Sequence, residues 1–259
     1  MVVDRTLFGN IDKVPKVIER MREFEPEEGY YLAFSGGKDS QTIYHLAKEA
    51  GVKFDAHFNL TTVDPPEVVY FIKENYPDVE IHRPEVTMWE LIPKKLMPPT
   101  RMVRYCCEVL KEGGGHGRVV MLGIRWEEST KRSKRRMVEQ CFRDKHKTFV
   151  NPIIDWTEQD VWNYLNGREI SHCVLYDLGW KRIGCIGCPM GNEKQMKYHF
   201  ERYPKYKQNY IRAFENMLKT RKEKGLTCDW ETGEDVMEWW IHGTYKDKHL
   251  VPDQTIMFE

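Results

Sequence analysis

The chain has 259 residues, and its 40 Lys plus Arg are balanced by 40 Asp plus Glu, which excludes a surface that is basic as a whole and leaves any polyanion footprint local. No stretch approaches the roughly 20 apolar residues of a membrane span, and the opening MVVDRTLFGN has neither the basic nor the apolar region of a signal peptide. Seven cysteines, an odd number that includes an adjacent pair, suit thiols in metal binding or catalysis better than a disulfide framework, so the expectation is a soluble cytoplasmic protein with no membrane partner.

In chain order, residues 30–35 (YYLAFS) form a short apolar run that ends at two glycines and predicts a buried strand. Ser40 to Ala50 places Ile43, Tyr44, Leu46, Ala47 and Ala50 on one helical face, with Gly51 as its stop. Strands are predicted at 53–59, 79–82 and 118–124, with a helix from Pro66 to about Tyr76. The glycine run at 113–117 reads as a flexible loop and a candidate mobile element. This alternation predicts an α/β fold with a mostly parallel sheet and helices on both faces. Beyond residue 150 strands give way to a capped helix at Thr157–Leu165, a cysteine-bearing loop at 184–191 and two helices broken at Pro204. The predicted division is a nucleotide-binding α/β domain at 1–170 and a cysteine-bearing, helical C-terminal region at 171–259.

Ser35-Gly36-Gly37-Lys38-Asp39-Ser40 lies between the first strand and its helix. There the glycines let backbone N–H groups approach phosphate oxygens, the helix N-terminus adds partial positive charge, and Lys38 adds a full one. Walker A spacing is absent, so cleavage at a γ-phosphate is not implied. Gly123 and Arg125 follow an apolar strand, where open parallel sheets bind ligands, and the planar fork of Arg125 suits sulfate or phosphate. Thr157 is a natural N-cap with Asp160 at the third helical position, so it and Asp155 receive a structural reading. The basic segment Lys131–Arg136 fits either a phosphate backbone or a solvated helix face. Trp239, Trp240 and the aromatics of 198–210 fit base stacking or core packing, and His242 and His249 lack metal-site spacing.

Cys106-Cys107 and Cys185-x-x-Cys188 supply four thiolates in two close pairs, the ligand count of a tetrahedral zinc site or a cubane cluster, and adjacent cysteines favour the cluster. Cys141, Cys173 and Cys228 have no partner spacing and read as small buried side chains.

The phosphate loop resembles that of the PP-loop ATP pyrophosphatases, which cleave ATP between its α- and β-phosphates. Gly123-Ile124-Arg125 with Glu127-Glu128-Ser129 and Arg132, and then Asn151–Trp162, are similar to the phosphoadenylyl-sulfate reductase branch of that class. Cys106-Cys107-x-x-x-Lys111 with the distant Cys-x-x-Cys resembles adenylyl-sulfate reductases that carry a 4Fe-4S cluster. That resemblance implies Lys111 beside cluster and substrate, where it tunes the potential. Assimilatory members carry a nucleophilic cysteine in a Cys-Gly-x-His tail, which WWIHGTYKDKHLVPDQTIMFE lacks. The resemblance therefore implies an enzyme that binds ATP and Mg2+, adenylates an acceptor with pyrophosphate release, and uses the cluster in sulfur transfer. Lys38, Asp39 and Arg125 are its catalytic candidates, with a nucleic-acid acceptor and a sulfur-donor protein as candidate partners. A thiol-dependent sulfonucleotide reductase and a noncatalytic nucleotide- or redox-sensing module are the alternatives.

Overall fold

The computed structural model describes residues 2–6 and 9–242; His249 lies outside them. In chain order the elements are β1 (Val3–Thr6), β2 (Gly9–Asp12), α1 (Lys13–Glu23), β3 (Tyr30–Ala33), α2 (Lys38–Ala50), β4 (Phe54–Asn59), α3 (Pro66–Asn75) and β5 (Glu80–His82). They continue with α4 (Met88–Lys95), α5 (Tyr105–Leu110), β6 (Val119–Met121), β7 (Val138–Gln140), β8 (Thr148–Val150), α6 (Glu158–Gly167), α7 (Glu193–Arg202), α8 (Pro204–Glu223) and α9 (Gly233–His242). Among the described residues no helix is long and apolar enough to cross a membrane.

Contacts divide the described chain into two units, one of residues 2–60, 65–83 and 113–183, the other of 61–64, 84–112 and 184–242. The division expected at residue 170 falls elsewhere in these terms. Residues 84–112, expected within the 1–170 domain, group by contact with the later helices.

The first unit holds a six-stranded sheet in the order β5-β4-β3-β6-β8-β7, parallel except for the β7–β8 pair. This is the α/β class that the strand–helix alternation predicts. From β3 the chain winds outward through β4 to β5, then returns to place β6 on the other side of β3. That reversal puts the topological switch point at the C-terminal ends of β3 and β6, the β3–β6 crevice where open parallel sheets take ligands. The capping box of α6 forms as expected, Thr157 Oγ1 accepting from the Asp160 amide at 3.1 Å and Asp160 Oδ2 from the Thr157 amide at 2.9 Å. Asp155 is structural as well, receiving both Arg20 terminal nitrogens at 2.8 and 2.7 Å.

Within the glycine run at 113–117, Gly114 and Gly115 are close-packed against Tyr31, while Gly113 and Gly117 have open space. A Cβ at Gly114 would collide with the Tyr31 ring, and the Gly114 carbonyl accepts from Lys147 Nζ at 2.6 Å. Gly114 and Gly115 serve close approach.

The second unit is helical: α8 packs on α4 and α9, and α7 contacts both α8 and α9. Tyr210 is buried among Trp89, Phe200 and Trp240, with ring centroids 5.0, 5.7 and 4.8 Å away. Trp240 Nε1 donates to the Pro99 carbonyl at 2.7 Å, and Trp239 packs edge-on to Trp230. Packing accounts for these aromatics.

Candidate nucleotide pocket and cysteine centre

The loop after β3 is closed by its own serines. Ser40 Oγ accepts from the Ser35 amide at 3.1 Å and donates to the Gly37 carbonyl at 2.9 Å. Gly36 has φ +69°, and a Cβ there would press on Ile72 and Val68 at 3.0 Å, so both conformation and space require glycine. Gly37 is the N-cap of α2 with no side-chain cap, which leaves the first-turn amides to other acceptors. One acceptor is Tyr176, whose hydroxyl takes the Lys38 amide at 2.8 Å. Burial raises the pKa of that phenol, keeping it protonated.

Lys38 is only 3% exposed, so its charge must be compensated locally. Its ammonium donates to the Lys181 carbonyl at 3.1 Å and pairs with Glu158 at 3.3 Å and Asp39 at 3.7 Å. Asp39 also accepts from Arg125 Nε at 2.6 Å, and Arg125, equally buried, reaches Glu127 at 2.9 Å. Gly123 explains how these segments meet, since a Cβ there would sit 2.8 Å from the Asp39 carbonyl oxygen. Lys38, Asp39, Gly123 and Arg125 thus converge where the strand order reverses.

A further arginine was named by resemblance only. Burial pushes Arg132 down to about 10, and Arg182, Arg135 and Arg125 push the same way. Within the basic segment, Arg132 and Arg135 are half-buried and paired with Glu128 and Glu139, while Lys131, Lys134 and Arg136 are exposed. The segment is a 3-10 turn at Arg132–Lys134, so the solvated-helix reading gives way to one in which Arg132 and Arg135, three residues apart, face inward. Tyr176, Lys181, Glu158 and Arg182 had no assigned role, because nothing local in the sequence marks a residue that closes over a loop about 140 positions earlier.

In the second unit the four paired cysteines come within electrostatic reach of one another. Cys106 feels Cys107, Cys185 and Cys188, and its thiol is pushed up by its hydrogen bond with Cys107 and by burial. Cys107 is held low by the same hydrogen bond and by Arg104, whose guanidinium donates to its sulfur at 3.2 Å. Lys111 lies among Cys185, Cys188 and Asp64, and the nearby Cys185 raises its pKa, so the ammonium keeps its charge. Among the described residues no three cysteine sulfurs lie within 4.8 Å of one another.

The Cys185–Cys188 loop is anchored on several sides. The Ile186 amide donates to Val63 O at 2.8 Å, Tyr210 Oη to Ile186 O at 3.0 Å, and the Gly187 amide to His199 Nδ1 at 3.3 Å. Thr61 Oγ1 lies 3.6 Å from Cys185 Sγ. Of the remaining cysteines Cys173 is buried as expected, but Cys141 and Cys228 are half-exposed and do not serve as core side chains.

Residues 29–191 match the phosphoadenosine phosphosulfate reductase domain. A protein of Methanocaldococcus jannaschii is 29% identical over 237 residues, covering 84% of this chain but 45% of its own length, so the chain spans less than half of that relative. The adenosine 5'-phosphosulfate reductase of Bacillus cereus is 26% identical over 182 residues, 65% of this chain and 76% of that protein. The crystal structure of phosphoadenylyl-sulfate reductase from Candida auris in a phosphate complex shares the fold, with a TM-score of 0.51 and 19% identity over 66% of this chain and 88% of that one. With this domain match over residues 29–191 and the shared fold, the chain belongs to the phosphoadenosine phosphosulfate reductase family, within the PP-loop superfamily.

Proposed function

We propose that the chain is an enzyme that binds ATP with Mg2+ in the β3–β6 crevice, adenylates an acceptor and passes sulfur to it. The observation that carries this reading is the meeting of buried Lys38 and Arg125 with the guanidinium of Arg132, whose neighbours Arg182 and Arg135 add further positive charge. Lys38, Arg125, Arg132 and Arg135 are each paired with a carboxylate, and a polyphosphate, with more anionic oxygens than a single sulfate, can take over more of those pairings beside the glycine loop. An acceptor oxygen attacks the α-phosphorus, the bond to the β-phosphate bridge breaks, and pyrophosphate leaves; a sulfide-equivalent donor then displaces AMP. Lys38 and the first-turn amides of α2 hold the leaving phosphates, Arg125 orients the α-phosphate, and Asp39 fixes the fork of Arg125. Mg2+ would offset charge developing on pyrophosphate.

Four cysteines in two close pairs suit a 4Fe-4S cluster held by Cys106, Cys107, Cys185 and Cys188, with zinc the alternative occupant. A bound cluster supplies electron transfer and a site for sulfur ligation. Lys111 keeps a positive charge beside the thiolates and Arg104 stabilises Cys107. The exposed Lys131, Lys134 and Arg136 support a nucleic-acid acceptor, and a sulfur-donor protein completes the scheme.

The relative named as an adenosine 5'-phosphosulfate reductase favours a second reading, sulfonucleotide reduction. Its thiol would be sought first at half-exposed Cys228. Anaerobic protein incubated with Mg2+, α-labelled ATP and bulk RNA or DNA tests the choice. AMP and pyrophosphate formed only with nucleic acid support adenylation. Sulfite formed from adenylyl sulfate, and lost in Cys228→Ser, contradicts it and supports reduction.

A further inference from the structure

Away from the crevice, on the β5 side of the sheet, β4 and β5 run parallel with His57 opposite Glu80 and Asn59 opposite His82. Alternate residues of a strand share a face, so Asp55 and His57 project on one side of β4. His57 Nδ1 lies 2.8 Å from His82 Nε2 and 3.4 Å from Glu80 Oε2. These are the members of the metal-competent group of three found among the described residues.

The other side of the His57 ring fixes its tautomer. Nε2 is in close hydrogen-bond contact with Asp55 Oδ2, so it carries the proton and donates, leaving Nδ1 with its lone pair. Asp55 is itself paired with Arg118, which donates to its two oxygens at 2.6 and 2.5 Å. The ring is stacked on Tyr31 with centroids 4.0 Å apart. A carboxylate that orients an imidazole and raises its basicity is the arrangement that supports histidine ligands of metals.

Three Lewis-basic atoms therefore face one another: His57 Nδ1, His82 Nε2 and a Glu80 oxygen. A proton shared between the imidazoles would satisfy two of them and leave the carboxylate facing ring nitrogens. We propose that His57, His82 and Glu80 bind a late first-row divalent cation such as Zn2+. Two imidazoles with one carboxylate suit that class, whereas Mg2+ and Ca2+ prefer oxygen-only shells. A tetrahedral ion with bonds of about 2.0–2.1 Å keeps its ligands about 3.3 Å apart, so the two rings need part by only about half an ångström. Glu80, on the exposed edge strand, leaves a remaining position to solvent. The ion would clamp the three-residue strand β5 to β4, independently of the cysteines.

Cobalt separates this site from the thiolates, because thiolate ligation adds an intense charge-transfer band that nitrogen and oxygen ligands lack. The full-length chain, stripped with a chelator and kept anaerobic, is titrated with Co2+. One equivalent with nitrogen and oxygen ligation and no charge-transfer band is expected, weakened at least about 30-fold in His82→Ala and about 10-fold in Glu80→Gln. Both changes lie on β5 and spare buried His57, and their unfolding midpoints with chelator present should match the unmutated chain. Only thiolate-bound cobalt, or the same affinity in His82→Ala, overturns the proposal.

Discussion

Lys38 is a buried cation compensated by Glu158 and Asp39. Lys38→Ala should therefore weaken ATP binding by about 1.5–3 kcal/mol, the scale of a charge-assisted phosphate contact, while the chain still folds. Calorimetry with Mg-ATP checks it, and unchanged affinity in a folded variant would remove the phosphate-loop assignment. Gly123→Ala tests the same pocket through shape. Its Cβ must displace the Asp39 backbone, so loss of ATP affinity with destabilisation of about 1–3 kcal/mol is expected. At this scale the loop residues and Arg125 were legible because their chemistry is written in consecutive letters. Tyr176 and Arg182 were not, since their roles arise from folding back, and the His57–His82 pair arises from strand register alone.

Among the elements, α7 carries a pH dependence that follows from its packing. Burial pushes His199, which accepts from the Gly187 amide, down to about 4 from an ordinary 6.5. Above pH 6.5 the imidazole is neutral in both folded and unfolded chains and the full stability is present. As pH falls below 6.5 the unfolded chain takes up a proton that the fold refuses. Stability then drops by up to about 1.4 kcal/mol per pH unit until the folded group titrates near 4. Denaturant unfolding at pH 7, 6 and 5 should show this slope, and His199→Gln should flatten it; an equal slope in the variant would place its origin elsewhere. Gly187→Ala is expected to destabilise the same loop by about 1–3 kcal/mol, because Gly187 has φ +66° and its Cβ would press on Phe200. Thermal unfolding measures that cost. The long elements α2, α3, α6 and α8 were legible from apolar spacing and caps. Three-residue strands such as β7 and β8, six-residue α5, and α4 with its internal Pro93 are too short or too irregular to show a period.

For the whole molecule, the pairing of Cys106-Cys107 with Cys185-x-x-Cys188 joins segments nearly 80 residues apart in sequence into one helical unit. The two pairs were legible by their spacing as a candidate ligand set. That residues 84–112 would group with the later helices was not legible, since no change of composition marks the crossing. Anaerobically prepared protein should contain iron and sulfide, both lost in Cys188→Ser; zinc without sulfide would leave the sulfur chemistry unsupported. The central claim is that a polyphosphate, rather than a sulfonucleotide, is the substrate of the β3–β6 crevice. It is tested most directly by calorimetry of the anaerobic full-length chain with Mg-ATP, adenylyl sulfate and its 3′-phosphorylated form. Tighter binding of ATP, lost in Lys38→Ala, is the predicted result, and tighter binding of either sulfonucleotide would contradict it.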